Sequence, residues 1–265
     1  MLTYHSAYSR SSYTLYGVAI KEVRLAFWQF YTWRYPLRSL WRVVTIILSS
    51  LARILLGRSL KYSFAFTGED RIIESILKPL ITANGHYVEV GCNHPKFLSN
   101  TYHLYRRGWT GICIDANQRL IQKYGFYRPR DVAVQALVSD KPAERTFYLS
   151  ENDVLSTTER ANLDDLDHAG LTYHSVQYRT RTLTSILDEH KFQNAFDILS
   201  IDAEEHDFQV LKSLDFDKYH PTLIIIEDES FDLNHRADNL IDNFMKHRDY
   251  DLVGVVLKNL YYAKR

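Results

Sequence analysis

The 265 residues are 46% apolar and 14% aromatic, which supplies a large globular core and excludes a disordered chain. The formal charge is zero overall, but residues 1–62 hold nine Lys or Arg against one acid, Glu22, so they carry about +8 and the remainder about −8. We expect no nucleic-acid partner.

The cysteines and the N-terminus bear on the compartment. Cys92 and Cys113 show no metal-ligand spacing, which favours a reducing environment. The opening residues are rich in Tyr and Ser and lack the basic and apolar regions of a secretory signal. We therefore expect a cytoplasmic protein, with peripheral attachment to the inner membrane face as an alternative.

The first 62 residues are predicted to form a helical extension, before an α/β domain over residues 63–265. A first aromatic-rich helix is predicted from Val18 to Trp33. A second, from Leu37 to Leu56, is amphipathic, but its uncharged run is shorter than the roughly 20 residues that span a bilayer. Residues 18–58 are expected either to lie on an anionic membrane surface or to pack on protein, within the chain or in a homo-oligomer.

From Thr67 onward, helical segments alternate with apolar strands. Helices are predicted at 67–80, up to 107, and at 117–123, 183–190, 202–214 and 232–247; strands are predicted at 87–90, 112–114, 131–138, 196–201, 221–226, 252–257 and 260–263. A hairpin-like pair, 146–149 with 178–182, is separated by a polar stretch, 151–174, typical of a lid or binding loop.

This alternation predicts a Rossmann-like, mostly parallel, seven-stranded sheet with helices on both faces. The last two strands are joined by the short turn at Lys258 and Asn259, which implies an antiparallel pair at one edge. That ending is the layout of class I methyltransferases.

The stretch from His86 to Asn117 is a strand, polar turn, helix and strand unit. Ligands of open α/β sheets bind at the carboxyl ends of the strands, where this chain has an acidic and amide-rich rim without Lys or Arg. The residues predicted to bind the cofactor there, with Asn100 added from the following turn, are Glu89, Gly91, Asn93, Asn100, Asp115, Asn117, Ser139 and Asp140.

The loop after the first strand, Gly91 to Pro95, lacks the later glycines of GxGxxG, and Pro95 removes a backbone donor, so it suits pyrophosphate poorly. A ligand with ribose hydroxyls and a positive centre, such as S-adenosylmethionine, fits better, because Asp115 can accept from both hydroxyls. The spacing from Gly91 to Asp115 also suits a nicotinamide nucleotide, so a dehydrogenase stays open at this point.

Several segments, in order along the chain, resemble FkbM-type methyltransferases. They are FTGEDRIIESIL, EVGCNHPKFLSNTYHLYRRGWTGICIDAN, ALVSDKPAERTFYL, DILSIDAEEHDFQVLKSLDF and PTLIIIED, and they extend from about Ser63 to the C-terminus. The resemblance implies S-adenosylmethionine as cofactor and O-methylation, often of sugar hydroxyls. Glu205 stands where the family usually has Gly, and Asp207 where it usually has Glu; we expect these departures to affect acceptor specificity more than cofactor binding.

Methyl transfer to a hydroxyl requires positioning and removal of a proton. Asp202 is the first candidate for the base or for holding the hydroxyl, and Glu204 and His206 could assist. A divalent ion held by Asp202, Glu204 and Glu227 is conceivable but not favoured, so no metal ligand is assigned. The alternative function is a catalytically silent binding module of methyltransferase-like fold at a membrane surface.

Overall fold

The computed structural model describes residues 63–77, 84–150 and 172–265, and seven positions between Leu37 and Ser49. The chain divides between Tyr62 and Ser63 into two units. Each of the seven N-terminal positions is helical, in agreement with the amphipathic helix predicted there. The helix predicted from Val18 to Trp33 and most of the polar loop, 151–171, lie outside the described residues. Within the described residues, no helix has the length and apolarity to cross a bilayer.

Nine strands occur in the described part of the chain. They are β1 His86–Val90, β2 Thr110–Asp115, β3 Val132–Gln135, β4 Glu144–Ser150, β5 Tyr173–Arg179, β6 Ala195–Ile201, β7 His220–Glu227, β8 Tyr250–Val256 and β9 Asn259–Lys264. Seven form one sheet in the order β3-β2-β1-β6-β7-β9-β8, parallel except for β9, which runs antiparallel to both of its neighbours. The predicted class I methyltransferase sheet, with its antiparallel edge, is confirmed.

The helices described in the same unit are α1 Glu69–Leu77, α2 Tyr102–Tyr105, α3 Gln118–Tyr127, α4 Leu183–Glu189, α5 Asp207–Lys212 and α6 Leu240–Lys246. Strand residues alternate between two cores, because successive side chains of a strand point to opposite faces. Val88 and Leu199 lie in one buried cluster, and Tyr87 and Ile198 lie in the other. Burial on both faces explains why the central strands are mostly apolar, as in the run from Leu223 to Ile226 of β7.

Two predicted helices begin later or are shorter than expected. The helix predicted from Asp202 begins at Asp207, because Glu204 (φ 50°) and Glu205 (φ 69°) have left-handed backbone conformations that no α-helix accommodates. The helix predicted to end at Arg107 is the four-residue α2. The start of α5 at Asp207 lengthens the loop that follows β6 at the carboxyl edge of the sheet.

Two further boundaries differ from the prediction. The helix predicted over 232–247 is a 3-10 helix, Leu233–Asp238, followed by α6, and the side chains of Asp232 and Asn239 each accept a backbone N–H at the start of one piece. The hairpin strand predicted at 178–182 is β5, which pairs with β4 as a separate two-stranded sheet. It begins at Tyr173, inside the stretch predicted to be a polar loop.

Candidate active site

A cavity of about 360 Å³ opens at the carboxyl ends of β1, β2, β6 and β7, within the roughly 300–1,000 Å³ typical of ligand sites. The predicted site residues in its wall are Gly91, Asn93, Asn100, Asp115, Asp202, Glu204 and His206. The parallel strands bring these positions together although Gly91 and His206 are more than a hundred residues apart in the chain.

Gly91 allows the carboxyl ends of β1 and β6 to lie in close contact. Its φ is +74°, and a Cβ placed there would lie 1.6 Å from the carbonyl oxygen of Asp202. Its backbone N–H donates to the carbonyl of Ile114 (2.9 Å), and the N–H of Asp202 donates to the carbonyl of Val90 (3.0 Å). No side chain can be accommodated at Gly91 without separating the strand ends.

The carboxylate of Asp115 is fixed at the tip of β2. One of its oxygens accepts the backbone N–H of Asn93 (2.9 Å) and the other accepts the backbone N–H of Asn117 (2.8 Å). Asn93 has a φ of 45°, a left-handed conformation that Asn tolerates better than most residues. These bonds orient a hydrogen-bond acceptor toward the cavity.

Glu89 does not line the cavity; it organises the loop that does. Its buried carboxylate accepts hydrogen bonds from the Thr101 hydroxyl (2.6 Å) and the Asn100 backbone N–H (3.1 Å), and the Arg128 guanidinium lies 3.5 Å away. Arg128 is itself fully buried and also pairs with Asp131 at 2.6 Å. The network places Asn100 in the cavity wall, so the structure gives Glu89 a positioning role in place of the predicted direct contact.

Three other predicted cofactor residues also lie outside the cavity wall. Asn117 caps α3 by accepting the backbone N–H of Arg119 (3.0 Å). The Ser139 hydroxyl lies 2.9 Å from Nε2 of His206, and Asp140 lies 3.7 Å from the Lys212 ammonium. Ser139 therefore orients His206, which is buried, whereas a helix-start histidine could equally have been solvent-exposed.

The carboxyl groups of Asp202, Glu204 and Glu227 meet at the floor of the cavity. Asp202 is accessible from the cavity, yet the surrounding protein desolvates its carboxyl, and this desolvation, with a hydrogen bond to Glu227, raises its pKa well above the ordinary range. Burial, reinforced by the charge of Glu227, raises the pKa of Glu204 to about 7. A carboxyl that titrates near neutrality is suited to proton transfer.

The rim contains a cation that sequence reasoning missed. Lys258 lines the cavity and forms ion pairs with Glu227 and with Glu229, the latter at 2.8 Å. The prediction of a rim without Lys or Arg was wrong because Lys258 lies in the turn before the antiparallel strand β9, whose Asn259 pairs with Glu227. The predicted antiparallel edge could have indicated this position of Lys258, because the turn before an antiparallel strand lies beside the carboxyl end of its parallel neighbour.

One wall of the cavity is apolar and was also missed. Ala116, Leu137 and Phe147 form a small buried cluster beside the tips of β2 and β3. Phe147 comes from β4, and the neighbouring Tyr178 on β5 donates its hydroxyl to the Ala116 carbonyl (2.8 Å). The separate two-stranded sheet thus completes an apolar wall of the cavity, and nothing in the local sequence of β4 indicates this contact.

One member of the acidic trio considered for a metal, Glu227, forms an ion pair with Lys258 in the structure. Within the residues that the structure describes, no set of three or more His, Cys, Asp or Glu is arranged to hold a metal ion.

Comparison with known proteins gives a family and a distant structural likeness. The family model described as the methyltransferase FkbM domain matches residues 89–252. The crystal structure of a TehB-like SAM-dependent methyltransferase from Corynebacterium glutamicum aligns with 83% of this chain and 97% of that chain, at 10% identity and a TM-score of 0.41. A search of curated proteins returned no match.

Proposed function

Because the chain belongs to the FkbM methyltransferase family, we propose that it transfers the methyl group of S-adenosylmethionine to a hydroxyl of a sugar, glycan or glycolipid-type acceptor. The observation that carries the proposal is the Asp115 carboxylate, which two backbone N–H groups hold at the cavity edge. In that orientation it can accept hydrogen bonds from both hydroxyls of a ribose.

The rest of the cavity matches the parts of this cofactor. The apolar cluster of Ala116, Leu137 and Phe147 suits an adenine ring. The close approach of Gly91 to Asp202 leaves backbone and carboxyl groups facing the cavity, where a cationic ammonium and sulfonium are stabilised. Within the described residues, neither region offers a phosphate cradle, which disfavours the nicotinamide alternative.

The acidic floor supplies the chemistry for the acceptor. The hydroxyl oxygen attacks the sulfonium methyl in line, the bond from carbon to sulfur breaks with its electrons passing to sulfur, and the hydroxyl proton leaves. We assign the proton to Glu204, because its pKa of about 7 makes it a base at neutral pH. Asp202, at the same floor, holds the acceptor oxygen by hydrogen bonding, and Ser139 fixes the ring of the adjacent His206.

Mass spectrometry of reactions with methyl-deuterated S-adenosylmethionine tests this function. We expect a panel of mono- and disaccharides to yield products that carry the labelled methyl on oxygen. Asp115→Ala should abolish the product, whereas Asp217→Ala, an exposed carboxylate beyond α5 at the opposite edge of the sheet, should not. Labelled product at nitrogen or carbon only, or equal product from Asp115→Ala, would contradict the proposal.

We also propose that the N-terminal helix associates with an anionic membrane surface. Leu37, Trp41 and Leu48 are exposed, with exposed fractions of 81%, 70% and 61%, in a segment of strongly positive charge. Apolar side chains at helical spacing combined with basic residues suit an interfacial helix.

Co-sedimentation with vesicles that contain anionic lipid tests this association. We expect salt-sensitive binding, because exposed charges are screened. The double variant Trp41→Ser/Leu48→Ser should lose most of the binding, while Thr45→Ala/Ser49→Ala, on the predicted polar side of the same helix, should retain it. If both double variants sedimented with the vesicles to the same extent, the apolar side of the helix would not bind the membrane surface, and packing on protein would be its remaining role.

A further inference from the structure

A second, larger cavity of about 620 Å³ adjoins the first. It lies between the start of α5, the end of β7 and the segment that contains the 3-10 helix, and it shares Glu204 and Glu227 with the first cavity. A molecule in it can therefore reach the same acidic floor that faces the cofactor. This position is where the acceptor must lie if the first cavity holds the methyl donor.

The wall of the second cavity is strongly acidic. Eight of its fifteen residues are Asp or Glu. Among the described residues, the cation paired with them is Lys258, which binds Glu227 and Glu229. The imidazole Nδ1 of His235 lies 2.7 Å from Asp232. Glu205 and Asp207 have no such ion pair in the described part of the chain, so the wall holds an excess of negative charge at the end next to α5.

Asp207 supplies an independent indication of a ligand. Its side chain is 3% exposed and lines the cavity; Oδ1 accepts the backbone N–H of Ala203 (2.9 Å), and Oδ2 has no hydrogen-bond partner among the described residues. A buried carboxyl oxygen without a partner is costly. Burial also raises the pKa of Asp207 to about 7, a penalty that a bound cation would offset.

Glu205 adds to the same wall at a conformational cost. Its φ of 69° is the left-handed region, where glycine is favoured and other residues are strained by about 1–2 kcal/mol. Glu205 lines the second cavity and not the first, so it places a carboxylate on the acceptor side alone.

We propose, building on the methyltransferase function above, that the second cavity binds the methyl acceptor and that this acceptor carries a protonated amine near its hydroxyl, as an aminosugar does. Glu205 and Asp207 bind the ammonium, and the hydroxyl lies at the shared floor beside Glu204. The amine is an anchor and the oxygen is the methylated atom, since the floor carboxyls take up a hydroxyl proton. Neutral polyols lack the charge that this wall selects.

Calorimetry on the full chain loaded with S-adenosylhomocysteine tests the proposal with three probes: glucosamine, N-acetylglucosamine and glucose. At a pH where the amine is protonated, we expect glucosamine to bind about tenfold or more tighter than the two neutral sugars. Glu205→Gly should remove most of that preference without weakening N-acetylglucosamine. This variant also relieves the positive φ, so folding is not at risk. Asp207→Asn should act in the same direction, and Asp217→Asn should behave as wild type.

Each other outcome overturns the inference in an identifiable way. Equal binding of charged and neutral sugars, or no binding of any, refutes a cationic acceptor. Methyl found on the nitrogen of glucosamine refutes the anchoring role of the amine. Neutral sugars that bind only with Mg²⁺, and are released by chelation, would assign the acidic wall to a metal ion. The titration with S-adenosylhomocysteine separates the two proposals. If it does not bind, the methyltransferase function fails, and sugar titrations on the unloaded protein still decide the charge preference.

Discussion

Gly91→Ala is expected to abolish cofactor binding and to destabilise the domain by several kcal/mol. The new Cβ would lie 1.6 Å from the Asp202 carbonyl oxygen, a distance at which atoms overlap, and the φ of +74° adds strain of its own. Relief would require β1 and β6 to separate at their ends, where the backbone bond from Asp202 to Val90 would be lost. Chemical denaturation followed by circular dichroism measures the loss.

Two glycines of the same domain serve as matched controls. Gly68 has a φ of +94° but no atom within 4 Å of a new Cβ, so Gly68→Ala measures the backbone strain alone, about 1 kcal/mol. Gly125 lies in α3 with open space around it, and Gly125→Ala should be neutral or stabilising by up to about 1 kcal/mol. If Gly91→Ala lowered the free energy of unfolding by no more than Gly68→Ala does, the close contact between Gly91 and the Asp202 carbonyl would be contradicted.

Glu204→Gln is expected to raise stability while it lowers methyl transfer. Burial and Glu227 raise the pKa of Glu204 from 4.5 to about 7, so the folded protein binds more protons than the unfolded chain between these values. The free energy of unfolding therefore falls as the pH rises from 4.5 to about 7, and the full penalty of the ionised Glu204 is present above that range. Gln removes the penalty, which we place at about 1–3 kcal/mol at alkaline pH.

The same substitution removes the proposed base, for which a rate loss of about 100-fold or more is expected. Thermal melts at a series of pH values should show the stability gain above neutrality and its disappearance near pH 4.5. Asp217→Asn, an exposed carboxylate far from the floor, should change neither melting temperature nor rate. A rate unaffected by Glu204→Gln would reassign the proton to Asp202 or His206. An unchanged melting temperature at alkaline pH would contradict the claim that burial and Glu227 raise the pKa of Glu204.

The sheet could be predicted from sequence because its central strands are buried on both faces. The run from Leu223 to Ile226 is continuous and apolar, the run from Ile198 to Ile201 is interrupted only by Ser200, and an acidic residue follows each of them directly. The rule that ligands bind at the carboxyl ends of parallel strands then brings Asp115 and Asp202 into one site. Both line the cavity.

The details that escaped prediction depend on tertiary contacts. Left-handed conformations at Glu204 and Glu205 delay the start of α5, and helix propensity gives no warning of them. Glu89 follows the strand pattern of a ligand residue, yet its carboxylate is taken by Thr101 and Asn100. Lys258 enters the site only through the antiparallel return of β9. Pattern reasoning places residues at an edge, but it does not show which way their side chains point.

The dissociation constant of S-adenosylmethionine for the wild-type chain and for Asp115→Ala, measured by calorimetry, is the most direct test of the central claim. The Asp115 carboxylate is predicted to supply two charge-assisted hydrogen bonds to ribose, so the variant should bind about 100-fold more weakly or not at all. Asp217→Ala should bind as tightly as wild type. Wild-type protein that fails to bind the cofactor, or a folded Asp115→Ala variant that binds it equally well, would contradict the claim that this cavity holds the methyl donor.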